Sequence, residues 1–271
     1  MTVVAALLVP GSPLPQVARD NPPWGALAAA LERAGAALAK AAPDTLVVYS
    51  TQWLAVLDQL WLTRAHMQGE HVDDNWHEYG ALPYDIAIDI QLTDAVLKAT
   101  PTIGIRSKGV DYDGFPLDTG TIVANNFLNP KGTMALTVAA NNLYHDSAAT
   151  EGLGRIAAEQ AHTLGKRVAF VGVGGLSGSF FRGSIDIAAD RIASQADDDW
   201  NRRVLRLLEE GKVDEFRKIC PDYARAAKVD MGFKHAAFVM GGIGWGFSGA
   251  TVHGYGPLYG SGGAVVELHL S

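Results

Sequence analysis

Residues 2–13 have the sequence TVVAALLVPGSP, and this stretch decides how the fold of the chain is interpreted. Its first eight residues, Thr2 to Val9, are all apolar or β-branched, which predicts a strand covered on both faces of a sheet. No basic region precedes the apolar run, and no small-residue cleavage site follows it. The segment is therefore interpreted as a buried first strand and not as a signal peptide.

Similar apolar strands alternate with helical patterns along the rest of the chain. Further strands are predicted over 45–49, 102–105, 133–139, 167–173 and 264–270, and helices over 24–42, 85–99, 148–164, 185–227 and 230–240. Loops are predicted over 10–23, 64–83 and 107–131. This alternation is typical of an α/β fold. Because no repeat, charge block or Ser/Gly linker divides the sequence, residues 1–271 are predicted to form a single domain, an α/β/α sandwich around a central mixed sheet.

The composition argues against several classes of protein. With 48% hydrophobic and 19% charged residues, the chain has enough apolar surface to offset the entropy cost of folding. A net charge of −7 argues against a nucleic-acid partner. No apolar run reaches the roughly 18 residues of a membrane span. The single cysteine, Cys220, cannot form an internal disulfide, and this cysteine usage predicts a cytoplasmic location.

Two common catalytic motifs are incomplete in this sequence. The glycine-rich segment Gly172–Gly178 follows a predicted strand, but Ser177 occupies the place of the third glycine of a dinucleotide-binding fingerprint. Neither Ser177 nor Ser248 stands in the G-x-S-x-G pattern of a serine nucleophile. Neither a nucleotide site nor a serine hydrolase is therefore predicted.

Two further segments have unusual compositions. Residues 71–78 hold two histidines and three acids, but no pair has the i, i+4 spacing of a helical zinc site, so a solvated loop is predicted. Residues 241–263 are rich in glycine and aromatic residues, which suits either a pocket for a planar ligand or a subunit interface. The sequence leaves that choice open.

Several short segments resemble the class III (protocatechuate 4,5-dioxygenase-like) extradiol ring-cleaving dioxygenases. They are Val9–Pro13, Val48–Trp53, Asp118–Thr121, Asn129–Pro130, Gly174–Gly178 and the helical segment 230–242. The resemblance implies the fold of that family and its chemistry. In such enzymes two histidines and one carboxylate hold Fe(II), which keeps open positions for a chelating aromatic diol or aminophenol and for O₂.

At the positions that the resemblance assigns to the iron ligands and to acid–base histidines, this sequence carries other residues. Gly11 and Gln52 stand where the two histidine ligands are expected, Lys234 stands nearest the glutamate position, and Thr119 and Gly178, the latter after Ser177, replace two further histidines. Gly11, Gln52, Thr119, Ser177, Gly178 and Lys234 are therefore interpreted as vestigial site positions. Without imidazole or carboxylate donors no Fe(II) affinity is expected, so this chain is predicted to hold no metal, no cofactor and no catalytic residue.

This pattern is similar to that of the non-catalytic α subunits of heteromeric family members, which pair with a catalytic β subunit of the same fold. The resemblance implies a heterotetramer of two α and two β subunits, in which the β subunit holds Fe(II) and the aromatic substrate. The complex would open the ring of 2-aminophenol between C1 and C6 to give 2-aminomuconic 6-semialdehyde. The subunit interface is predicted on parts of the 64–83 and 241–263 segments.

Two alternatives remain open at this point. In the first alternative, the chain is an autonomous metal-dependent dioxygenase with other metal ligands, and the candidates for these ligands are the cluster His71–His77, His253 and Glu267. In the second alternative, the chain is a small-molecule binding module whose remaining pocket senses an aromatic compound.

Overall fold

The computed structural model describes residues 2–271 and is built on an eight-stranded mixed sheet. In chain order the elements are β1 (Val3–Val9), α1 (Leu14–Val17), α2 (Pro22–Ala41), β2 (Thr45–Ala55), β3 (Gln59–Leu62), β4 (His66–His71), β5 (Leu82–Ala87), α3 (Ile90–Ala99), β6 (Ser107–Val110), α4 (Thr119–Leu128), β7 (Ala135–Asn142), α5 (Ser147–Thr163), β8 (Val168–Val173), α6 (Gln195–Glu209), α7 (Val213–Ala226), α8 (Lys234–Gly242), β9 (Phe247–Leu258) and β10 (Ser261–Leu270). None of the helices within residues 2–271 is long and apolar enough to cross a membrane.

The sheet has the strand order β6-β3-β7-β2-β8-β1-β10-β9, and β4 and β5 form a separate hairpin. Its four central strands, β7, β2, β8 and β1, are parallel. On one side β10 and β9 add antiparallel strands, and on the other β3 runs antiparallel to β7. Since parallel strands end at the same edge of a sheet, the residues that follow β1, β2 and β8 are brought together there.

The hydrophobic core lies on both faces of this sheet. Alternate residues of β1 point to opposite faces, so that Ala6 and Leu8 join one buried cluster while Leu7 and Val9 join the other. Helices α2 and α4 cover one face, and α5, α6, α7 and α8 cover the other. This arrangement explains the uninterrupted apolar run and confirms the predicted α/β sandwich around a mixed sheet. The extent of the domain, 1–271, stays a prediction.

All three predicted loops contain regular structure, and residues 10–23 hold α1 and the start of α2. Residues 107–131 hold β6 and α4, and α4 is buried on nearly every side, so it lacks the one-sided apolar pattern that identifies a surface helix. Residues 64–83 hold β4 and the start of β5, which pair in register from His66 and Ala87 to His71 and Leu82. The prediction of a strand over 102–105 is wrong, because a short 3-10 helix runs from Thr100 to Ile103 with a proline in its first turn.

The glycine-rich segment 241–263 is a long hairpin arm rather than an irregular tail. β9 takes up most of it and pairs with β10. At Gly254 a Cβ atom would lie under 3.0 Å from the Ala30 side chain of α2, so the missing side chain lets the helix approach the strand closely. Gly254 therefore serves close packing between helix and sheet.

Candidate functional site

The carboxyl edge of the central strands borders a cavity of about 840 Å³. Segments that are far apart in the sequence meet there: the loop after β1, the middle of β2, the start of α4, the loop after β8 and the end of β4. The lining residues come chiefly from Pro10–Pro13, Thr51–Leu54, His71–Trp76, Asp118–Thr119, Gly175–Gly178 and Lys228–Met231. Ligands of open parallel sheets bind at this kind of edge, so the cavity is the candidate functional site.

Five of the six predicted site positions line this cavity, and the sixth does not. The five are Gly11, Gln52, Thr119, Ser177 and Gly178. Lys234 turns away, and its ammonium group donates to the backbone oxygen of Asn142 at 2.8 Å, at the end of β7. Burial lowers the pKa of Lys234, and the carboxylate of Asp146 partly opposes that shift.

The wall at Gly11 is closed by Gln52. The Gln52 side-chain amide donates to the backbone oxygen of Gly11 at 3.1 Å. A Cβ atom at Gly11 would lie 3.1 Å from that amide nitrogen and 3.2 Å from the Cα of Gly120. A side chain at this position would therefore press on the chain's own groups, which would have to shift by a few tenths of an ångström to admit its Cβ.

Thr119 links two polar side chains from the β4–β5 hairpin to the start of α4. Its hydroxyl donates to Asp73 Oδ2 at 2.7 Å, and it lies 2.8 Å from His71 Nε2. Since the hydroxyl proton is directed to Asp73, Thr119 accepts from a protonated Nε2 of His71. The neighbouring Asp118 caps α4 by accepting from the Thr121 amide at 3.0 Å.

The histidine-rich segment is thus divided by the structure. His71, Asp73 and Asp74 line the cavity, whereas His77 and Glu78 are exposed and lie outside its lining. The prediction of a solvated loop is wrong for His71, which is the end of β4, and for Asp73, because the hairpin folds back over the cavity.

Ser177 is held in a buried network around Asn201. The Asn201 side chain donates to Ser177 Oγ at 2.8 Å and accepts from the Ser177 amide at 3.2 Å and the Tyr223 hydroxyl at 2.7 Å. Asn201 and Tyr223 are fully buried. The Ser177 hydroxyl therefore holds the loop after β8 in place rather than projecting free into the cavity.

One acid in the cavity lining, Asp230, is not among the site residues predicted from the sequence. Asp230 accepts from the Thr51 hydroxyl at 2.6 Å and from the Gly175 amide at 3.0 Å. Left-handed backbone angles at Met231 and Phe233 separate it from α8. Its position as the first residue of the helix predicted over 230–240 was the signal that could have identified it.

The side chains present do not fit a ferrous ion held by two imidazoles and a carboxylate. Within residues 2–271, no group of three His, Cys, Asp or Glu side chains is arranged to hold a metal ion. Of the four acids in the cavity lining, Asp73 and Asp230 accept from neighbouring hydroxyls, and a glutamine amide is a weaker ligand than imidazole. His253 and Glu267 form a 2.9 Å pair between β9 and β10, and neither lines the cavity.

Comparison with known proteins connects this geometry to a family. The model of a family described as the catalytic LigB subunit of aromatic ring-opening dioxygenase matches residues 11–266. The chain belongs to this family. The predicted resemblance to class III ring-cleaving dioxygenases is thereby confirmed, and the LigB fold extends over almost the whole sequence.

Individual LigB relatives cover most of the chain. It is 47% identical to the 2-aminophenol 1,6-dioxygenase alpha subunit of a Pseudomonas species, over 100% of both chains. It is 25% identical to the 2-aminophenol 1,6-dioxygenase beta subunit of a Pseudomonas species, over 93% of this chain and 89% of the relative. A crystal structure of an uncharacterized Escherichia coli K12 protein has the same fold, with a TM-score of 0.65, 12% identity, and coverage of 97% of this chain and 99% of that one.

Proposed function

We propose that this chain is the metal-free α subunit of a LigB-family dioxygenase that opens the ring of 2-aminophenol between C1 and C6. In this proposal a homologous β subunit holds Fe(II), O₂ and the aromatic substrate, and two copies of each subunit form a cytoplasmic heterotetramer. The full-length similarity to a protein named as an alpha subunit, together with the weaker similarity to one named as a beta subunit, supports this assignment.

The observation that carries the metal-free part of the proposal is the wall formed by Gly11 and Gln52. Gln52 hydrogen-bonds to the backbone at Gly11, and Lys234 donates to the end of β7 away from the cavity. All three stand at positions where the family resemblance expects iron ligands. Ferrous iron needs open coordination positions and anionic or imidazole donors, and this wall offers neither.

The retained cavity supports the proposal that this subunit keeps the family fold because that fold stabilises its catalytic partner. Ser177 and Thr119 hold the cavity loops through bonds within the chain, which gives a rigid edge to the sheet. A rigid scaffold of the same fold stabilises a catalytic subunit by burying part of its surface. The expected result is a β subunit that is more stable and more active in the complex than alone.

The test compares this chain alone, its β subunit alone and the co-expressed complex. We expect the isolated chain, reconstituted with ferrous iron, to hold less than about a tenth of an equivalent of iron and to cleave no 2-aminophenol. The complex is expected to bind iron and to form the ring-cleavage product, which is followed by its absorbance.

A matched variant makes the test specific. His71→Asn removes the one imidazole of the cavity lining and is expected to leave the iron content of the complex unchanged. Stoichiometric iron and ring cleavage in the isolated chain would instead establish the autonomous dioxygenase. A loss of that iron in His71→Asn would then identify the donor.

A further inference from the structure

Exposed large apolar side chains are concentrated at one corner of the molecule. Within residues 2–271, ten large hydrophobic residues are exposed, and five of them form what is here termed the apolar rim. The apolar rim consists of Leu54, Val56, Leu57, Leu143 and Tyr144. Two more, Phe180 and Met231, line the cavity, which Leu54 also lines.

The apolar rim is contiguous because the end of β2 is paired with the end of β7. The Leu143 amide donates to the Ala55 backbone oxygen at 2.9 Å, and the Asn142 side chain donates to the Asp58 backbone oxygen at 3.2 Å. The Tyr144 amide in turn donates to the Asn142 side chain at 3.0 Å. Asn142 is buried, so both turns are held on a rigid base. The apolar side chains are therefore presented by fixed backbone rather than by a mobile loop.

The size of the apolar rim fits a subunit interface. Leu57 is 83% exposed and Tyr144 is 80% exposed, although both are large apolar side chains. The five exposed fractions together leave on the order of 600 Å² of largely apolar surface, the upper end for a patch on a monomer. Each partner contributes about 800 Å² to a standard interface, so the apolar rim and the adjoining cavity mouth supply the area that a stable complex needs.

The charge at the border of the apolar rim favours a different partner chain over a second copy of this chain. Arg106 and Lys108 both pair with the buried carboxylate of Asp58, next to Leu57, and Lys234 lies beneath Leu143. With the carboxylates of Asp58 and of Asp146, which acts on Lys234, counted against these three cations, the border has a net charge of +1 (three minus two), although the chain as a whole carries −7. A second copy in a two-fold contact would place the same basic border against itself, whereas a different chain with acidic groups complements it.

We propose that the apolar rim is the docking surface for the catalytic LigB-family subunit, whose contacting surface is apolar with an acidic border and covers the cavity mouth. This inference rests on the proposed function, because it takes the existence of that partner from there. It centres the interface on the ends of β2 and β7 at the carboxyl edge of the sheet, and of the predicted 64–83 and 241–263 segments it includes only the residues that line the cavity.

The test uses the double variant Leu57→Ser/Tyr144→Ser in the full chain, with Tyr112→Ser as the matched control. Tyr112 is 73% exposed and follows β6, at the opposite edge of the sheet. All three substitutions replace exposed side chains, so each variant is expected to melt within about 2 °C of wild type. Binding to the β subunit is measured by calorimetry and by co-elution.

We expect the double variant to bind the β subunit at least 100-fold more weakly and the control to bind within twofold of wild type. Unchanged binding by the folded double variant would overturn the docking surface and leave the proposed function standing. Failure of the wild-type chain to bind the β subunit would overturn both. If the double variant only converts a dimer of this chain into monomers, the occupant is a second copy and the proposal is wrong.

Discussion

Gly178 lies at a point where the chain has no room for a side chain. A Cβ atom at this position would lie under 3.0 Å from the backbone oxygen of Lys228. The two segments cannot simply separate, because the Gly178 amide donates to the Ala227 oxygen at 3.0 Å. The backbone of Gly178 does not have the left-handed angle that favours glycine, so the constraint is steric. Gly178→Ala therefore tests whether this part of the cavity wall is as tightly packed as the structure shows.

The expected cost follows from this contact. The Lys228 oxygen must retreat by roughly 1 Å to restore ordinary van der Waals distance. Overpacking of this kind costs about 1–3 kcal/mol, and weakening the hydrogen bond to Ala227 adds about 1 kcal/mol. A total of about 2–4 kcal/mol lowers the melting temperature of a chain of this size by about 4–10 °C.

Gly175→Ala is the matched control in the same loop. Its nearest neighbours to an added Cβ are Asp230 Cβ and the Gly262 oxygen, both at 3.6 Å, which is ordinary contact. With no clash, the alanine restricts the unfolded chain and stabilises the protein by about 0.4–1 kcal/mol. Both variants are compared by differential scanning calorimetry and by urea unfolding. A Gly178→Ala variant that melts within about 1 °C of wild type, or a control that is equally destabilised, would refute the reasoning.

Two further variants probe the buried groups behind the cavity. Asn201→Ala leaves the buried hydroxyl of Tyr223 and the Ser177 amide without their acceptor. This substitution is expected to lower the free energy of unfolding, measured in urea, by about 3–5 kcal/mol. A loss below about 1 kcal/mol would show that the network is dispensable. Burial lowers the pKa of His235 to about 4, and Asp230 only partly opposes this. Because the unfolded chain binds the proton first, stability is expected to fall as the pH drops from about 6.5 towards 4, by on the order of 3 kcal/mol. His235→Gln should remove that part of the pH dependence of the melting temperature, and an unchanged slope in the variant would assign it to other groups.

The parts of the fold that the sequence predicted are those in which one pattern has one physical cause. The unbroken apolar run of β1 predicted a strand buried on both faces, and both faces of β1 do contact core clusters. Helix α4 was not predicted, because it is buried on nearly every side and its sequence therefore lacks the alternation of apolar and polar faces that identifies a helix. Strand β9 was not predicted, because glycines that allow close packing, such as Gly254 against Ala30, are also typical of loops.

The same distinction holds at the candidate site. The family resemblance assigned Gly11, Gln52 and Ser177 to one site, and the structure shows the physical reason, because each follows or lies in a strand that ends at the same edge. Lys234 could not be placed, because its direction depends on the left-handed backbone of Phe233 just before α8. Asp73 also required the structure, since it reaches Thr119 only through the fold of the β4–β5 hairpin.

The side chains of the cavity and those of the apolar rim differ in how far their interactions are already made within the chain. Gln52, Thr119 and Ser177 are each hydrogen-bonded to other parts of the chain, so part of the binding capacity of these side chains is used internally. Leu57 and Tyr144, in contrast, remain exposed on a rigid base. Burying them releases free energy only when another surface arrives. The free energy that this chain can contribute to a complex therefore lies at the apolar rim, while the cavity wall keeps the sheet edge in the shape that presents it.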